Sequence, residues 1–365
     1  MNRDAPSRRF RAGLRRGMQF NTTLQIGTKT ISNDSPVFII AEAGVNHGGD
    51  MAVARQLIDI AADSGADAVK FQAFKTEHLI LDSVEKAPYQ QQTTDRGQSQ
   101  YAMLKALEVT QAQNRELKRH CEARGIIFLS TPFDEASLDE LVSLDLPAYK
   151  IASTDTTNLP FLERVARTGK PIFLSTGMSY LSEVELALET VAAYNKDVVL
   201  LQCTANYPIE DHEANLNVIT TYRERFHVLV GYSDHSVGVG AAPFAVPMGA
   251  RVVEKHFTID KSLPGPDHRA SLSPEELTSF VETVRRVERY MGSRVKVPNL
   301  SETQTRRALQ KCLVASRPIE KGEAFSAQNM VAKRTGGKGV SPIYFRELLG
   351  RDAARSYAKD EPIEQ

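Results

Sequence analysis

The strongest constraint on this chain is a repeat in its hydrophobic pattern. From residue 37 to residue 291, short β-branched runs alternate with amphipathic helical stretches. The runs are Val37–Ala41, Ala68–Phe71, Ile126–Leu129, Ala148–Ile151, Pro171–Leu174, Val198–Leu201, Val228–Gly231 and Arg251–Val253. Helical periodicity falls near 52–64, 110–124, 135–144, 158–168, 182–194, 215–225, 237–248 and 274–291. Asn158-Leu159-Pro160 and Ser273-Pro274-Glu275-Glu276 carry helix-start chemistry, a polar cap followed by proline or acids. Pro243 and Pro247 are expected to kink or interrupt the helix around them. Eight β–α units in about 255 residues match a closed (β/α)8 barrel. An open doubly wound sheet alternates in the same way and is the competing arrangement.

The residues that follow each run carry the functional information. They are Glu42 with Gly44, Asn46 and His47; Lys70 and Gln72; Ser130-Thr131; Lys150 and Ser153; Ser175-Thr176; Cys203-Thr204 leading to Asn206-Tyr207; Ser233-Asp234-His235; and Glu254-Lys255-His256. In a barrel of this kind the active site lies on the face where strands end in their C-terminal direction. Turns often call for Ser, Thr or Asp there. They do not call for lysines, glutamates and histidines.

His235 and His256 are 256 − 235 = 21 residues apart, one strand–helix–strand step, which places them on adjacent strands within reach of one metal ion. Two imidazoles leave coordination positions open to water and substrate, as a catalytic metal requires. No thiolate is expected near the pair, so nothing singles out Zn²⁺ over Mn²⁺ or Mg²⁺. Lys70, Lys150, Ser153, Ser175 and Ser233 supply the charge-assisted donors that a phosphate or carboxylate demands. A Schiff-base lysine is the competing use. Neither a Walker loop nor GxGxxG occurs, which argues against a nucleotide. Pro264-Gly265-Pro266-Asp267 reads as a stiff loop holding Asp267 where it could meet sugar hydroxyls.

Lys+Arg and Asp+Glu both number 45, so no bulk field draws the chain to nucleic acid or to an anionic membrane. No apolar run is long enough to span a bilayer. Cys121, Cys203 and Cys312 are odd in number and form no CxxC, which fits reduced thiols in a cytoplasmic protein. Residues 1–17 hold six arginines without a following apolar core and read as a disordered basic leader. The barrel is assigned to 18–292. Residues 293–308 read as a polar linker, and 309–365, with short strands near Leu313–Ala315, Ile319–Glu323 and Met330–Lys333, as a small β-rich domain.

Taken in order, Ile39–His47, Val69–Gln72, Leu129–Asp134, Tyr149–Ser153, Leu174–Met178, Gly231–His235, Glu254–Thr258 and Pro264–His268 resemble the N-acetylneuraminate synthase family, including its legionaminate relatives. Pro318–Glu323 is similar to that family's antifreeze-like module. The resemblance implies condensation of phosphoenolpyruvate with an open-chain N-acetylmannosamine-type sugar. The same reaction on 2,4-diacetamido-2,4,6-trideoxymannose is the alternative, and a metal-dependent barrel aldolase or hydrolase a more distant one. It also implies that Lys70, Thr131, Lys150, Ser153, Ser175, Asn206 and Ser233 hold phosphoenolpyruvate. His235 and His256 would bind a divalent metal, Mn²⁺ favoured over Mg²⁺ or Co²⁺. Gln72, Asp155, Tyr207, Asp267 and Arg334 would face the sugar, and Glu42 would orient or deprotonate water. Arg334, in the tail, implies a domain-swapped homodimer in which each tail caps its partner's site.

Departures from the family pattern are Asp155 where Glu is usual, Thr335 in place of Pro, and Gln202 in place of His. Lys86–Gln90 and Ser99–Leu104 lean toward the neuraminate and legionaminate branch.

Overall fold

The computed structural model describes residues 18–86, 91, 94 and 97–364; the basic leader at 1–17 and residues 87–90 of the branch-marking segment lie outside the described residues. The chain divides after Gly292 into two compact units.

In the first unit a hairpin, β1 (Thr23–Ile26) and β2 (Lys29–Ser32), precedes eight parallel strands. These are β3 (Phe38–Gly44), β4 (Ala68–Ala73), β5 (Ile127–Pro132), β6 (Tyr149–Ile151), β7 (Ile172–Ser175), β8 (Val198–Cys203), β9 (Leu229–Asp234) and β10 (Val252–His256). Their lateral order is β5-β4-β3-β10-β9-β8-β7-β6, and β5 lies beside β6, which closes the ring. The alternating pattern therefore folds as the barrel.

Side chains alternate across a strand with period two, and here that parity sorts the core into two. Ile39, Ala41, Val69, Phe71, Tyr149, Leu174, Tyr232 and Val253 join the larger cluster between strands and helices. Phe38, Ile40, Ala68, Leu129, Ala148, Phe173, Val199, Leu201, Leu229 and Val252 form the smaller one inside the barrel. Phe38 stacks on Phe173 across that interior at 5.9 Å between ring centroids. Leu24, Ile26 and Ile31 of the hairpin belong to the same inner cluster.

Local chemistry starts the helices where the pattern expects them. Thr110 with Gln113 and Ser273 with Glu276 make capping boxes at Gln111–Arg124 and Pro274–Met291, and Asp50, Asp134 and Asn158 cap three more. The helix expected over 237–248 shrinks to Ala242–Ala245, because Pro243 and Pro247 withdraw backbone donors.

The second unit pairs β11 (Lys311–Ala315) with β12 (Met330–Arg334) antiparallel. Leu313, Ala315, Ile319, Phe325, Met330, Val340, Leu348, Ala353, Tyr357 and Ile363 make its small core. Ile319 forms only an isolated bridge, to Tyr357, where a strand was expected. Glu302–Leu309, inside the stretch read as linker, is a helix with no buried residue; its Glu, Gln, Arg, Ala and Leu are good helix formers.

Candidate active site

Seven strands run further than their apolar pattern predicts, and the extra residues include the polar ones. β3 continues to Gly44, β4 to Ala73, β5 to Pro132, β7 to Ser175, β8 to Cys203, β9 to Asp234 and β10 to His256. The candidate groups thus stand mostly on ladder-held backbone. The parity that points Phe38, Ala68, Leu229 and Val252 inward also points Glu42, Lys70, Ser233 and Glu254 inward, higher up.

These groups form one buried charge network. Lys70 Nζ lies 2.7 Å from Glu42 Oε2 and 3.8 Å from Glu254 Oε2, and Lys150 Nζ lies 2.7 Å from Glu254 Oε1. Lys70 also donates to Thr131 Oγ1 at 2.9 Å, Ser233 Oγ to Glu254 Oε1 at 3.0 Å, and Gln72 Nε2 to Glu42 Oε1 at 3.2 Å. Burial raises the Glu42 carboxyl to about 7, with Lys70 opposing and Glu254 assisting. Burial acts on Glu254 in the same direction, but Lys150 and Lys70 outweigh it and hold that carboxyl at about 2. Two cations and two carboxyls share the space, and the buried Ser175 Oγ has no partner among the described residues. Ser175 lies two residues beyond the inward-facing Phe173, so this unsatisfied buried hydroxyl marks room for a polar ligand.

The histidines meet beside this network. His235 and His256 have ring centroids 5.6 Å apart. His235 Nδ1 lies 2.7 Å from the Thr204 carbonyl, to which it donates; burial opposes the charged form, but Cys203 and that carbonyl outweigh it and raise the imidazole above its usual range. His256 Nδ1 is buried without a hydrogen-bond partner. Burial, His235 and Lys70 push its imidazole well below the usual range, which keeps it neutral. His256, held neutral, and His235, which would give up its Nε2 proton to an ion, stand close enough together to fit a divalent metal. Among the described residues no group of three or more His, Cys, Asp or Glu is placed to hold one, so the pair would leave most positions to water and substrate.

One sequence expectation is corrected here. A thiol does lie near the pair: Cys203 Sγ is 3.8 Å from His235 Nδ1. The apolar run had been ended at Leu201, so the inward parity of Cys203 was not followed. The sulfur meets the nitrogen that faces Thr204, away from the one free to bind metal.

Around the pair, Gly44 shows how closely the parts converge. Its φ is +54°, and a Cβ there would sit 3.3 Å from both Gln72 Nε2 and Glu42 Oε1 and 3.6 Å from His256 Cε1. The Tyr207 ring lies 4.0 Å from that of His235 and 5.2 Å from that of His256. Asp267 Oδ2 is 3.9 Å from His256 Nδ1, and burial lifts its carboxyl to about 6. Asn46 Nδ2 donates to the Phe257 carbonyl and to Ser271 Oγ, which in turn donates to the Asp267 carbonyl. Asn46 therefore ties the β3 loop to the loop that carries Asp267.

Ser153 Oγ accepts from Gly177 N–H at 2.9 Å. Asp155 turns onto its own segment, accepting from Asn158 Nδ2 at 3.0 Å and Thr154 Oγ1 at 3.3 Å. Asn206 is exposed at the rim, and Arg334 is exposed at the end of β12 in the second unit. Glu254 is the central residue that sequence reasoning left out of the site set, although its place two residues before His256 on one strand gives it the same inward parity.

A closed parallel barrel with lysines, serines and a histidine pair at one mouth has the arrangement of an enzyme for a small anionic substrate. Residues 57–296 match the NeuB family and residues 310–365 the SAF domain. The chain belongs to the NeuB family and is an enzyme of its synthase class. It is 44% identical over 330 residues to the N,N'-diacetyllegionaminic acid synthase of Campylobacter jejuni, covering 90% of this chain and 98% of that one. It is 35% identical over 334 residues to the human N-acetylneuraminate-9-phosphate synthase, covering 91% and 93%. The crystal structure of an N-acetylneuraminic acid synthetase from Leptospira borgpetersenii, in complex with citrate, matches with a TM-score of 0.70 at 34% identity, over 80% of this chain and 98% of that one.

Proposed function

We propose that this enzyme joins phosphoenolpyruvate to the open-chain form of an N-acetylated amino sugar, with water, and releases phosphate and a sialic-acid-type sugar acid. The observation that carries the reading is the pairing of two buried lysines and an unsatisfied Ser175 hydroxyl with two adjacent imidazoles around one barrel mouth.

Lys70, Thr131, Lys150, Ser153, Ser175, Asn206 and Ser233 bind the phosphate and carboxylate of phosphoenolpyruvate. Charge-assisted donors in a water-poor site are worth more than in solution. C3 of phosphoenolpyruvate attacks the aldehyde carbon, forming the new C–C bond and leaving a cation at C2. His235 and His256 would hold a divalent ion, Mn²⁺ favoured over Mg²⁺ or Co²⁺, and such an ion would supply Lewis-acid polarisation at the aldehyde. Glu42, with its carboxyl near 7, takes the proton from the water that adds at C2, and that proton balances the one gained by the former aldehyde oxygen; the C2–O bond to phosphate then breaks, the departing phosphate takes the C2 hydroxyl proton, and a ketone is left. Gln72, Asp155, Tyr207, Asp267 and Arg334 orient the sugar. The Arg334 role makes the working unit a domain-swapped homodimer, a reading that rests on the family resemblance. The setting is cytoplasmic; among the described residues no helix is long and apolar enough to cross a membrane.

For the acceptor we favour the sugar with acetamido groups at C2 and C4. The legionaminic acid synthases of Campylobacter jejuni and Legionella pneumophila stand at 44% and 42% identity, against 35% for the human neuraminate-9-phosphate enzyme. Phosphate release with a panel of free and 6-phosphorylated 2-acetamido sugars tests the choice. The diacetamido sugar should give the highest kcat/KM, and a preference for N-acetylmannosamine or its 6-phosphate would reverse the assignment.

A further inference from the structure

His235 stands one residue beyond the end of β9, whereas His256 is the last residue of β10. The ladder therefore fixes His256, and something else must fix His235. Part of the answer is the Thr204 carbonyl that holds its ring. The backbone is held from the opposite face of the sheet, where strand parity sends the neighbours of both histidines.

Asp234 and Lys255 are register partners on β9 and β10. Both side chains are buried, and Lys255 Nζ lies 3.0 Å from Asp234 Oδ2. The Asp234 carboxylate also accepts from Ser236 N at 2.9 Å, Ser236 Oγ at 2.6 Å, Ala241 N at 3.1 Å and Ala242 N at 3.0 Å. Lys255 donates in addition to the Ser236 carbonyl at 2.5 Å. The whole turn that follows His235 is thus gathered onto one ion pair, and Lys255 reaches across from the neighbouring strand to grip the residue next to the histidine. The turn closes so tightly that a Cβ on Gly240, at φ +64°, would lie 2.1 Å from Ser236 Oγ and 2.7 Å from Lys255 Nζ.

We propose that Lys255, through Asp234 and the Ser236–Ala242 turn, is a positioning residue that sets His235 at the spacing from His256 that one metal ion needs. Unlike Lys70 and Lys150, Lys255 faces away from the barrel interior and meets no substrate. A buried ion pair seldom adds net stability over apolar residues of the same volume, and registry is its best-attested use. The inference rests on the histidine pair being the metal site.

The test is Mn²⁺ titration of the whole protein, reading free Mn²⁺ by electron paramagnetic resonance, alongside thermal midpoints. Lys255→Met should weaken Mn²⁺ binding by about tenfold or more, the usual range for outer-shell partners. Adding Asp234→Asn removes the orphaned charge, so the thermal midpoint should recover while Mn²⁺ affinity stays low. If affinity instead recovers with the midpoint, or is within twofold of the parent in folded Lys255→Met, the positioning role is overturned. Should Lys255→Met not fold, Gly240→Ala keeps every charge and disturbs the same turn; it should also weaken Mn²⁺ about tenfold, and unchanged affinity would overturn the inference. A parent protein that binds no Mn²⁺ would sink the histidine-pair reading itself, a failure visible before any variant is made.

Discussion

The two ends of the barrel interior are built from the same strands with the same parity and have opposite chemistry. At the lower end, Phe38, Ala68, Leu229 and Val252 pack with Leu24, Ile26 and Ile31 of the hairpin, and each is buried. Two or four residues further along, β3, β4, β9 and β10 present Glu42, Lys70, Ser233 and Glu254. The difference teaches that the plug and the site depend on one another. The hairpin keeps water out from below, and that low-polarity floor makes the charges above both costly and strong. Stability is concentrated at one end and chemistry at the other, so substitutions should separate the two.

The largest separation is expected at the histidines. His235→Ala or His256→Ala should reduce turnover to background and lower bound Mn²⁺, measured by metal analysis, with the thermal midpoint nearly unchanged. Mixing His235→Ala with Arg334→Ala subunits should restore activity, because a swapped dimer then holds one complete site; verified mixed dimers without activity would rule out capping in trans.

Next comes Lys150→Ala. Removing one member of a buried charge pair typically costs several kcal/mol of binding, so the KM for phosphoenolpyruvate should rise roughly a hundredfold. The KM for the sugar should move far less, and equal movement of both would break the division between the anion set and the sugar set.

At the other end, Ile26→Ala leaves a cavity in the inner cluster and should cost about 2–5 kcal/mol in denaturant unfolding. Steady-state kinetics at permissive temperature should show kcat/KM within about twofold of the parent. An activity loss as deep as that of the histidine variants would erase the contrast.

The smallest effect is expected at His47, just past the end of β3. Its Nδ1 accepts from Gly49 N–H at 3.0 Å, and its Nε2 is buried without a partner. Burial lowers its pKa from 6.5 to about 4. The unfolded chain takes up this proton as pH falls through 6.5, and the folded protein only near 4. The contribution is therefore complete above 6.5 and lost across that window, up to roughly 3 kcal/mol in all. His47→Asn keeps a side-chain acceptor and removes the titration, so its thermal midpoint should fall less steeply with acid. Parallel curves for the two proteins would refute this account of His47.

The alternation of strands and helices was legible because each barrel strand is short, apolar and flanked by helix caps such as Thr110 and Ser273. The hairpin was not read, because the pattern was followed only from residue 37; yet Leu24, Ile26 and Ile31 alternate as an inward face should. The histidine pair and the lysines were legible as residue types that turns do not need. Glu254 and Cys203 were noted at their strand ends but given no role in the site. The reading stopped each strand at its last apolar residue, while the ladder runs on through the polar ones. Lys255 was hidden for a related reason: it sits in the same motif as His256, and only parity sends it to the other face.

The central claim is that phosphoenolpyruvate is a carbon donor here. With fully ¹³C-labelled phosphoenolpyruvate, Mn²⁺ and the diacetamido sugar, mass spectrometry should show all three labelled carbons in the sugar acid, one phosphate released per product, and no product when labelled pyruvate replaces the donor. Product formed from pyruvate would mean an aldolase, and phosphate released with labelled pyruvate but no labelled sugar acid would mean a hydrolase. Either result would contradict the account.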